Sequence, residues 1–347
     1  MSETPTPDAY ALVSGEAKPV AAPELDYLPP MPRNKAMPIG LVGAGGISFA
    51  HLDAYKKCGF NVVAIADRHL DRATARRDAF YPNALATDRI DDVIGAAGIA
   101  VVDITVHAKD RAELMRRALE AGQHVLSQKP FVRDLAAGRA LVDLAARKGL
   151  QLAVNQNGRW APHLSYIREA AAAGLVGAVT GVHVAINWDH TWIAGTPFAA
   201  MDHVILDDFA IHWFDFLVSV IGERGERVFA TVGRAEAQTM HAPLLSQVLV
   251  TYPGGQASLV FDANAPHSAS DTTTVIGTKG TLRSTGPDLG RQSVSLATVE
   301  GVARAALVGR HAVAGLVARS ARLAAAMKSC HEELPACRRR RPAALRR

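Results

Sequence analysis

The chain has 347 residues, 49% of them apolar and 20% charged, enough for about two globular domains and too apolar for a disordered polymer. Its formal net charge of +5 is unevenly placed: from residue 301 onward there are 11 Lys or Arg against 2 Asp or Glu, whereas residues 1–300 carry 27 basic and 31 acidic groups. The body is mildly acidic, which argues against a nucleic-acid partner, whose expected footprint is a basic face on the fold itself.

Residues 1–36, closed by Pro29, Pro30 and Pro32, read as a flexible extension. They lack the basic start and apolar run of a secretory leader. No stretch approaches the roughly 18 uninterrupted apolar residues of a membrane span. Cys58, Cys330 and Cys337 make neither a disulfide framework nor a metal-ligand spacing. A cytoplasmic protein with no membrane partner and no bound metal is expected.

A short strand over 39–42 then runs into glycines. It is followed by a helix over 47–57, a strand over 61–66 ending at Asp67, a helix over 70–80 and a strand over 99–106. A helix over 111–121, stopped by Gly122, a strand over 124–127, a helix over 135–148 and a strand over 150–155 complete the series. Strands alternating with helices predict a doubly wound parallel sheet over 37–157, and continuous apolar runs fit strands covered on both faces. Beyond about residue 158 the pattern alternates, at 180–188, 227–234, 246–252, 256–264, 272–277 and 280–284, with a hairpin signal at Pro253-Gly254-Gly255. A helix over 204–221 precedes the later strands. This predicts an α+β domain on a mostly antiparallel sheet over 158–300, and hence an α/β protein overall.

The first strand ends in Gly43-Ala44-Gly45-Gly46-Ile47-Ser48. Gly43 suits a tight turn and Gly45 a close backbone approach to a pyrophosphate, whose charge would sit on the N-terminus of the following helix. The usual third glycine is Ser48. Asp67 ends the next strand 24 residues after Gly43, near the ~20 expected of a carboxylate on the ribose hydroxyls. The pattern is either a dinucleotide site of Rossmann type, with Gly43, Gly45, Gly46, Ile47 and Asp67 around the cofactor, or a tight turn without a ligand. Asp67 favours NAD, because a carboxylate repels the 2′-phosphate of NADP; Arg68 beside it would accept that phosphate, leaving NADP open.

Two further constellations carry chemistry. His124-Val125-Leu126-Ser127-Gln128-Lys129-Pro130 puts Lys129 at the carboxyl end of a parallel strand, where open α/β sheets place ligands; taken alone, the Lys-Pro pair also reads as a solvated loop. In Asp207-Asp208-Phe209-Ala210-Ile211-His212-Trp213-Phe214-Asp215, helical spacing puts Asp208 and His212 on one face, with Asp215 near the same stripe. Such a pair either relays a proton near neutral pH or is an ordinary helix hydrogen-bond pair.

Taken together, GLVGAGGISFAHL, VVAIADR, AGQHVLSQKP, NGRW at 157–160 and LDDFAIHWFD resemble the Gfo/Idh/MocA family, which includes glucose–fructose oxidoreductase and inositol 2-dehydrogenase, over roughly residues 37–285. The resemblance implies an NAD(P)-dependent oxidoreductase acting on a sugar or polyol, with Lys129 catalytic, His212 as acid/base and Asp208 binding substrate or orienting the histidine. It also implies a homo-oligomer, dimer or tetramer, built through the open face of the second sheet. Gln128 stands where the family usually has glutamate, and His107-Ala108-Lys109-Asp110-Arg111 replaces a Pro-x-x-x-His segment. Thr105, His107, Gln128 and Lys129 are cofactor-side candidates. Arg159, Trp160, Asn187, Trp188, His190 and His203, together with Asp208, are substrate-side candidates, with Trp192 near them; Trp160 and Trp213 equally suit a core. The same residues also serve a cofactor-retaining glycosidase or sugar–sugar oxidoreductase; a non-catalytic dinucleotide sensor on this fold is a third reading, against which the retention of Lys129, Asp208 and His212 argues. The Ala/Arg-rich stretch over 301–347 reads as a basic helix with a solvated tail, as a frameshift product, or as an anion-binding arm.

Overall fold

The computed structural model describes residues 19–236, 238–265, 269–288, 291–298 and 301–308. Among these the chain divides into two compact units, one of residues 28–162 and 206–215, the other of residues 19–27, 163–205 and 216–308. The segment bearing Asp208 and His212 therefore packs with the first of these units, although in sequence it lies between residues 163–205 and 216–308 of the second.

In chain order the strands and α-helices are β1 (Pro19–Val20), β2 (Pro38–Val42), α1 (Ser48–Cys58), β3 (Asn61–Ala66), α2 (Leu70–Phe80), β4 (Leu85–Thr87), β5 (Val101–Ile104), α3 (Ala108–Glu120), β6 (His124–Gln128), α4 (Leu135–Arg147), β7 (Leu152–Asn155), α5 (Pro162–Ala172), β8 (Val179–Asn187) and α6 (Ile211–Ile221). Seven strands follow: β9 (Arg227–Gly233), β10 (Leu245–Tyr252), β11 (Gly255–Asp262), β12 (Ser270–Gly277), β13 (Gly280–Asp288), β14 (Arg291–Thr298) and β15 (Gly301–Val308).

In the first unit, six parallel strands lie in the order β4-β3-β2-β5-β6-β7. The order reverses between β2 and β5, and ligands of doubly wound sheets bind at the carboxyl ends of strands beside such a switch. Both faces are covered. Ile39, Leu41, Ile65 and Leu126 share one core with Leu52 and Tyr55 of α1 and Phe80 of α2. Val42, Ala64, Val102, Ile104 and Val125 pack on the other face with Met115 and Leu119 of α3 and Leu141 of α4. Neighbouring residues of one strand thus enter opposite cores, which is why these strands read as unbroken apolar runs.

The second unit is built on a nine-stranded sheet in the order β1-β15-β14-β13-β12-β8-β11-β10-β9. Its pairings are antiparallel except β1 with β15 and β8 with β11. The hairpin expected at Pro253-Gly254-Gly255 is present; Tyr252 and Gly255 are direct partners, so its loop is the two residues Pro253-Gly254. A side chain at Gly255 would run into the Thr180 carbonyl.

Three expectations change. Residues 19–36 are not simply a loose extension: β1 pairs with β15, Tyr27 packs edge-on against Tyr166, and the Tyr166 hydroxyl donates to the Pro23 carbonyl. Residues 301–308 form β15 rather than the start of a helix, because β14 supplies a complete ladder for them; residues 309–347, on which the tail readings otherwise bear, lie outside the described residues. The helix over 204–221 is broken into a π-helical turn, Ile205–Phe209, and α6. The Asp208 carbonyl accepts a hydrogen bond from Lys129 Nζ at 3.0 Å, so part of this turn's backbone bonding is to the side chain that follows β6. Single π turns of this kind occur often at functional sites.

Candidate active site

The site begins at the switch point. Gly43 has φ 102°, a left-handed backbone in which a Cβ would press to 2.8 Å from Val106 Cγ1 and 3.1 Å from the Thr105 carbonyl carbon. Its N–H donates to the Ala66 carbonyl, and the Thr105 hydroxyl donates to the Gly43 and Val42 carbonyls at 2.5 and 3.1 Å. Thr105 therefore ties the ends of β2 and β5 together. Gly45 and Gly46 have open space where a Cβ would be, as a turn approached by a pyrophosphate needs. Ser48 replaces the third glycine without crowding, since its buried hydroxyl turns back to the Gly45 carbonyl at 2.6 Å and accepts from Arg76 Nε. Ile47 is exposed at the helix start.

Asp67 closes this cradle. Its Oδ2 accepts from the Ala44 N–H at 2.7 Å and its Oδ1 from the His69 N–H at 2.9 Å. The carboxylate is thus fixed at the mouth of the glycine turn, as a ribose-binding acid requires. Arg68 and His107 are exposed, and His107 precedes α3. The residues present fit an NAD cofactor.

Lys129 follows β6, and the Lys129–Pro130 peptide is cis. Its Nζ lies 2.6 Å from Asp208 Oδ2 and 5.5 Å from the centre of the Phe209 ring. Both members of the ion pair are largely buried. The Lys129 carbonyl accepts from the Arg111 guanidinium at 3.0 Å. Arg111 is buried on α3, and burial pushes its guanidinium down to about 10 while the Asp208 carboxylate opposes the shift; it remains a cation at neutral pH. Gln128 is buried, and its Oε1 accepts the Lys129 N–H at 2.7 Å. The two departures from the family pattern, Gln128 and Arg111, are therefore both in direct contact with the Lys129 backbone.

His212 sits in the first turn of α6. Gln156 Nε2 donates to the Ile211 carbonyl at 2.6 Å, pinning that turn. A Cβ on Gly158 would lie 2.9 Å from both Cβ and Nδ1 of His212, so the glycine of NGRW is there to admit the histidine. Arg159 grips Asp215 with two bonds, Nε to Oδ2 at 2.9 Å and Nη2 to Oδ1 at 2.5 Å. This is a bidentate pair that ties the NGRW turn to α6. Trp160 and Trp213 are buried, as core side chains are.

In the second unit, Asn187 donates to Ser270 Oγ at 2.8 Å. Trp188 stacks on the buried His190 with ring centres 5.7 Å apart and planes 10° apart, and His190 is also 6.1 Å from the exposed Trp192. His203 is exposed, next to an Asp202 carboxylate that is bonded to His241. Among the described residues no group of three His, Cys, Asp or Glu is placed to hold a metal ion, and no helix is long and apolar enough to cross a membrane.

Sequence reasoning passed over His51, Asp103, Asn155 and Gly158 as contact residues. An acid inside the apolar run Val101–Ile104 and a histidine inside α1 were the available signals for the first two. Their pairing across 52 positions was not readable.

Residues 37–156 match the GFO_IDH_MocA model, an oxidoreductase family with an NAD-binding Rossmann fold, and residues 164–283 match the GFO/IDH/MocA C-terminal domain. The chain belongs to the Gfo/Idh/MocA oxidoreductase family. D-Apiose dehydrogenase from Paraburkholderia graminis is 29% identical over 250 residues, which are 70% of this chain and 66% of that protein. Inositol 2-dehydrogenase from Rhizobium meliloti is 28% identical over 276 residues, 76% of this chain and 80% of its own length. Among solved structures, an Agrobacterium radiobacter oxidoreductase in complex with NAD+, L-tartaric acid and magnesium superposes with TM-score 0.75 at 18% identity, covering 84% of this chain and 89% of that one. Levoglucosan dehydrogenase in complex with NADH gives TM-score 0.72 at 18% identity, covering 84% and 90%.

Proposed function

We propose that this Gfo/Idh/MocA oxidoreductase is a cytoplasmic NAD-dependent dehydrogenase of a sugar or polyol carbinol. The observation that carries the reading is the buried ion pair of Lys129 Nζ with Asp208 Oδ2 at 2.6 Å, in the unit that also holds His212, the glycine turn and Asp67. Relatives named for apiose and inositol point to the same substrate class.

Gly43, Gly45, Gly46 and Ile47 would hold the pyrophosphate and Asp67 the ribose, with Thr105, His107, Gln128 and Lys129 on the nicotinamide side and Arg68 at the edge of the ribose site. When bound, NAD+ supplies the hydride acceptor. Lys129 is kept in place by Asp208, and its ammonium stabilises the negative charge that develops on the substrate oxygen. The His212 imidazole takes the hydroxyl proton. Asp208 holds Lys129 through both its carboxylate and its carbonyl. Trp188, stacked on the buried His190, is a candidate surface for the apolar side of a sugar, and Arg159, Asn187 and His203 are the remaining substrate-side candidates.

Lys129→Met is expected to lower turnover by at least about 10²-fold; because it leaves the buried Asp208 carboxylate without its partner, the unfolding midpoint falls as well, and turnover is compared at a temperature where circular dichroism shows the variant folded. A variant that kept most of its activity would remove the lysine from the mechanism. The protein is also proposed to be a homo-oligomer, joined through the outward face of the nine-stranded sheet. On that face Phe229 and Leu249 are cross-strand partners, and both are exposed together with Val260 and Ile276.

A further inference from the structure

Behind Lys129 lies a hydrogen-bonded chain of buried side chains drawn from four elements. Asp103 of β5, His51 and Tyr55 of α1, Asn155 of β7 and Gln128 of β6 are all buried. Asp103 Oδ2 accepts from the Tyr55 hydroxyl at 2.8 Å and lies 2.7 Å from His51 Nδ1. The other ring nitrogen, His51 Nε2, lies 3.0 Å from Asn155 Nδ2 and 3.3 Å from Gln128 Nε2.

The direction of this chain follows from its last link. Gln128 Oε1 already accepts the Lys129 N–H at 2.7 Å, so the end of the amide that faces His51 is its NH2 group. An NH2 group only donates, and His51 Nε2 must therefore be a bare acceptor. The ring hydrogen is then on Nδ1, where the Asp103 carboxylate receives it. A carboxylate partner on one ring nitrogen is the usual means of fixing which tautomer a histidine adopts.

We propose that Asp103 and His51 are positioning residues that set the place of Lys129 through Gln128, and that glutamine at 128 is required by the bare His51 Nε2. A glutamate there would set an acceptor oxygen against an acceptor nitrogen, which is repulsive unless the ring takes up a hydrogen at Nε2. The departure from the family's Glu-Lys-Pro is thus one half of a matched pair whose other half is the His51 tautomer. The aim of Lys129 matters because a misplacement of about 1 Å at a reacting group can cost ~10²-fold in rate. The claim that the network serves catalysis rests on the dehydrogenase reading above; the tautomer does not.

The test is the 15N spectrum of the full-length protein labelled at histidine, with His51 assigned by its loss in His51→Gln. The expected result is a protonated Nδ1 and an unprotonated Nε2 at His51, and a protonated Nε2 in Gln128→Glu. An Nε2–H form in the unaltered protein, or no change in Gln128→Glu, overturns the proposal. The second arm is kinetic. Gln128→Met keeps the volume and removes both hydrogen bonds; its kcat is expected to fall about 10- to 100-fold. Adding His51→Leu to it should cost little more, because residues acting along one chain are non-additive. Losses that multiply, or an unaltered kcat in Gln128→Met, would show that the two side chains do not act through each other on Lys129. The nitrogen spectrum needs no substrate, so a protein inert toward every sugar and polyol would count against the dehydrogenase reading while the tautomer was still decided.

Discussion

At the scale of single residues, the candidate site side chains are held by backbone-directed hydrogen bonds and by glycines that make room for them. Asp67 accepts two main-chain N–H groups at 2.7 and 2.9 Å, which leaves its carboxylate fixed before any ribose arrives. Asp67→Ala is expected to weaken NAD binding by about 10- to 100-fold, the loss of one or two charge-assisted hydrogen bonds, measured by titration of the cofactor; unchanged affinity would remove Asp67 from the ribose site. Gly158→Ala places a methyl 2.9 Å from His212 Cβ, which is backbone-anchored and has little freedom to yield. A fall in kcat of about 10-fold or more is expected, with cofactor affinity retained, checked by steady-state kinetics. The glycine turn, Asp67, Lys129 and the Asp208/His212 spacing were legible in the sequence because each is a residue type with a narrow use at a fixed offset. Gly158 was not, because its reason for being glycine is a side chain 54 positions away, as with His51 and Asp103.

At the scale of elements, continuous apolar runs revealed five of the six parallel strands, because each of those strands feeds two cores at once. The sixth, β4, has three residues, too few for any periodicity, and only its pairing with β3 defines it. The two-residue β1 is likewise too short for periodicity, and only its pairing with β15 defines it. The broken helix at 205–221 is the more instructive case. Spacing alone put Asp208 and His212 on one face of a regular helix, yet Asp208 lies in a π turn and gives both its carbonyl and its carboxylate to Lys129. Lys129→Met should therefore loosen this turn as well as stop turnover. Faster amide hydrogen exchange at residues 205–211 is expected in the variant, and unchanged protection there would mean that the turn holds without the lysine.

At the scale of the whole molecule, acid stability has an identifiable component in His163. It is buried, its Nε2 has no hydrogen-bond partner among the described residues, and desolvation pushes its imidazole down to about 3 from 6.5. Between those values the unfolded chain binds a proton that the folded one does not. The contribution is therefore complete above about pH 6.5 and is lost as the pH falls toward 3, by up to about 1.4 kcal/mol per pH unit. His163→Met is expected to flatten this acid limb in denaturant titrations at successive pH values; an equally steep limb would exclude His163 as its source. Leu249→Glu, on the exposed sheet face, should reduce the mass of the assembly measured by light scattering, since a charge buried in an apolar interface is strongly unfavourable. A mass identical to that of the unaltered protein would place the oligomer contact elsewhere. The most direct test of the central claim is NADH formation when the purified protein and NAD+ are offered a panel of aldoses, polyols and inositols. NADH accumulating with at least one of them, and not with Lys129→Met, is the expected result. No NADH from any member of the panel by a protein shown to bind NAD+, or equal NADH from the lysine variant, would contradict the account.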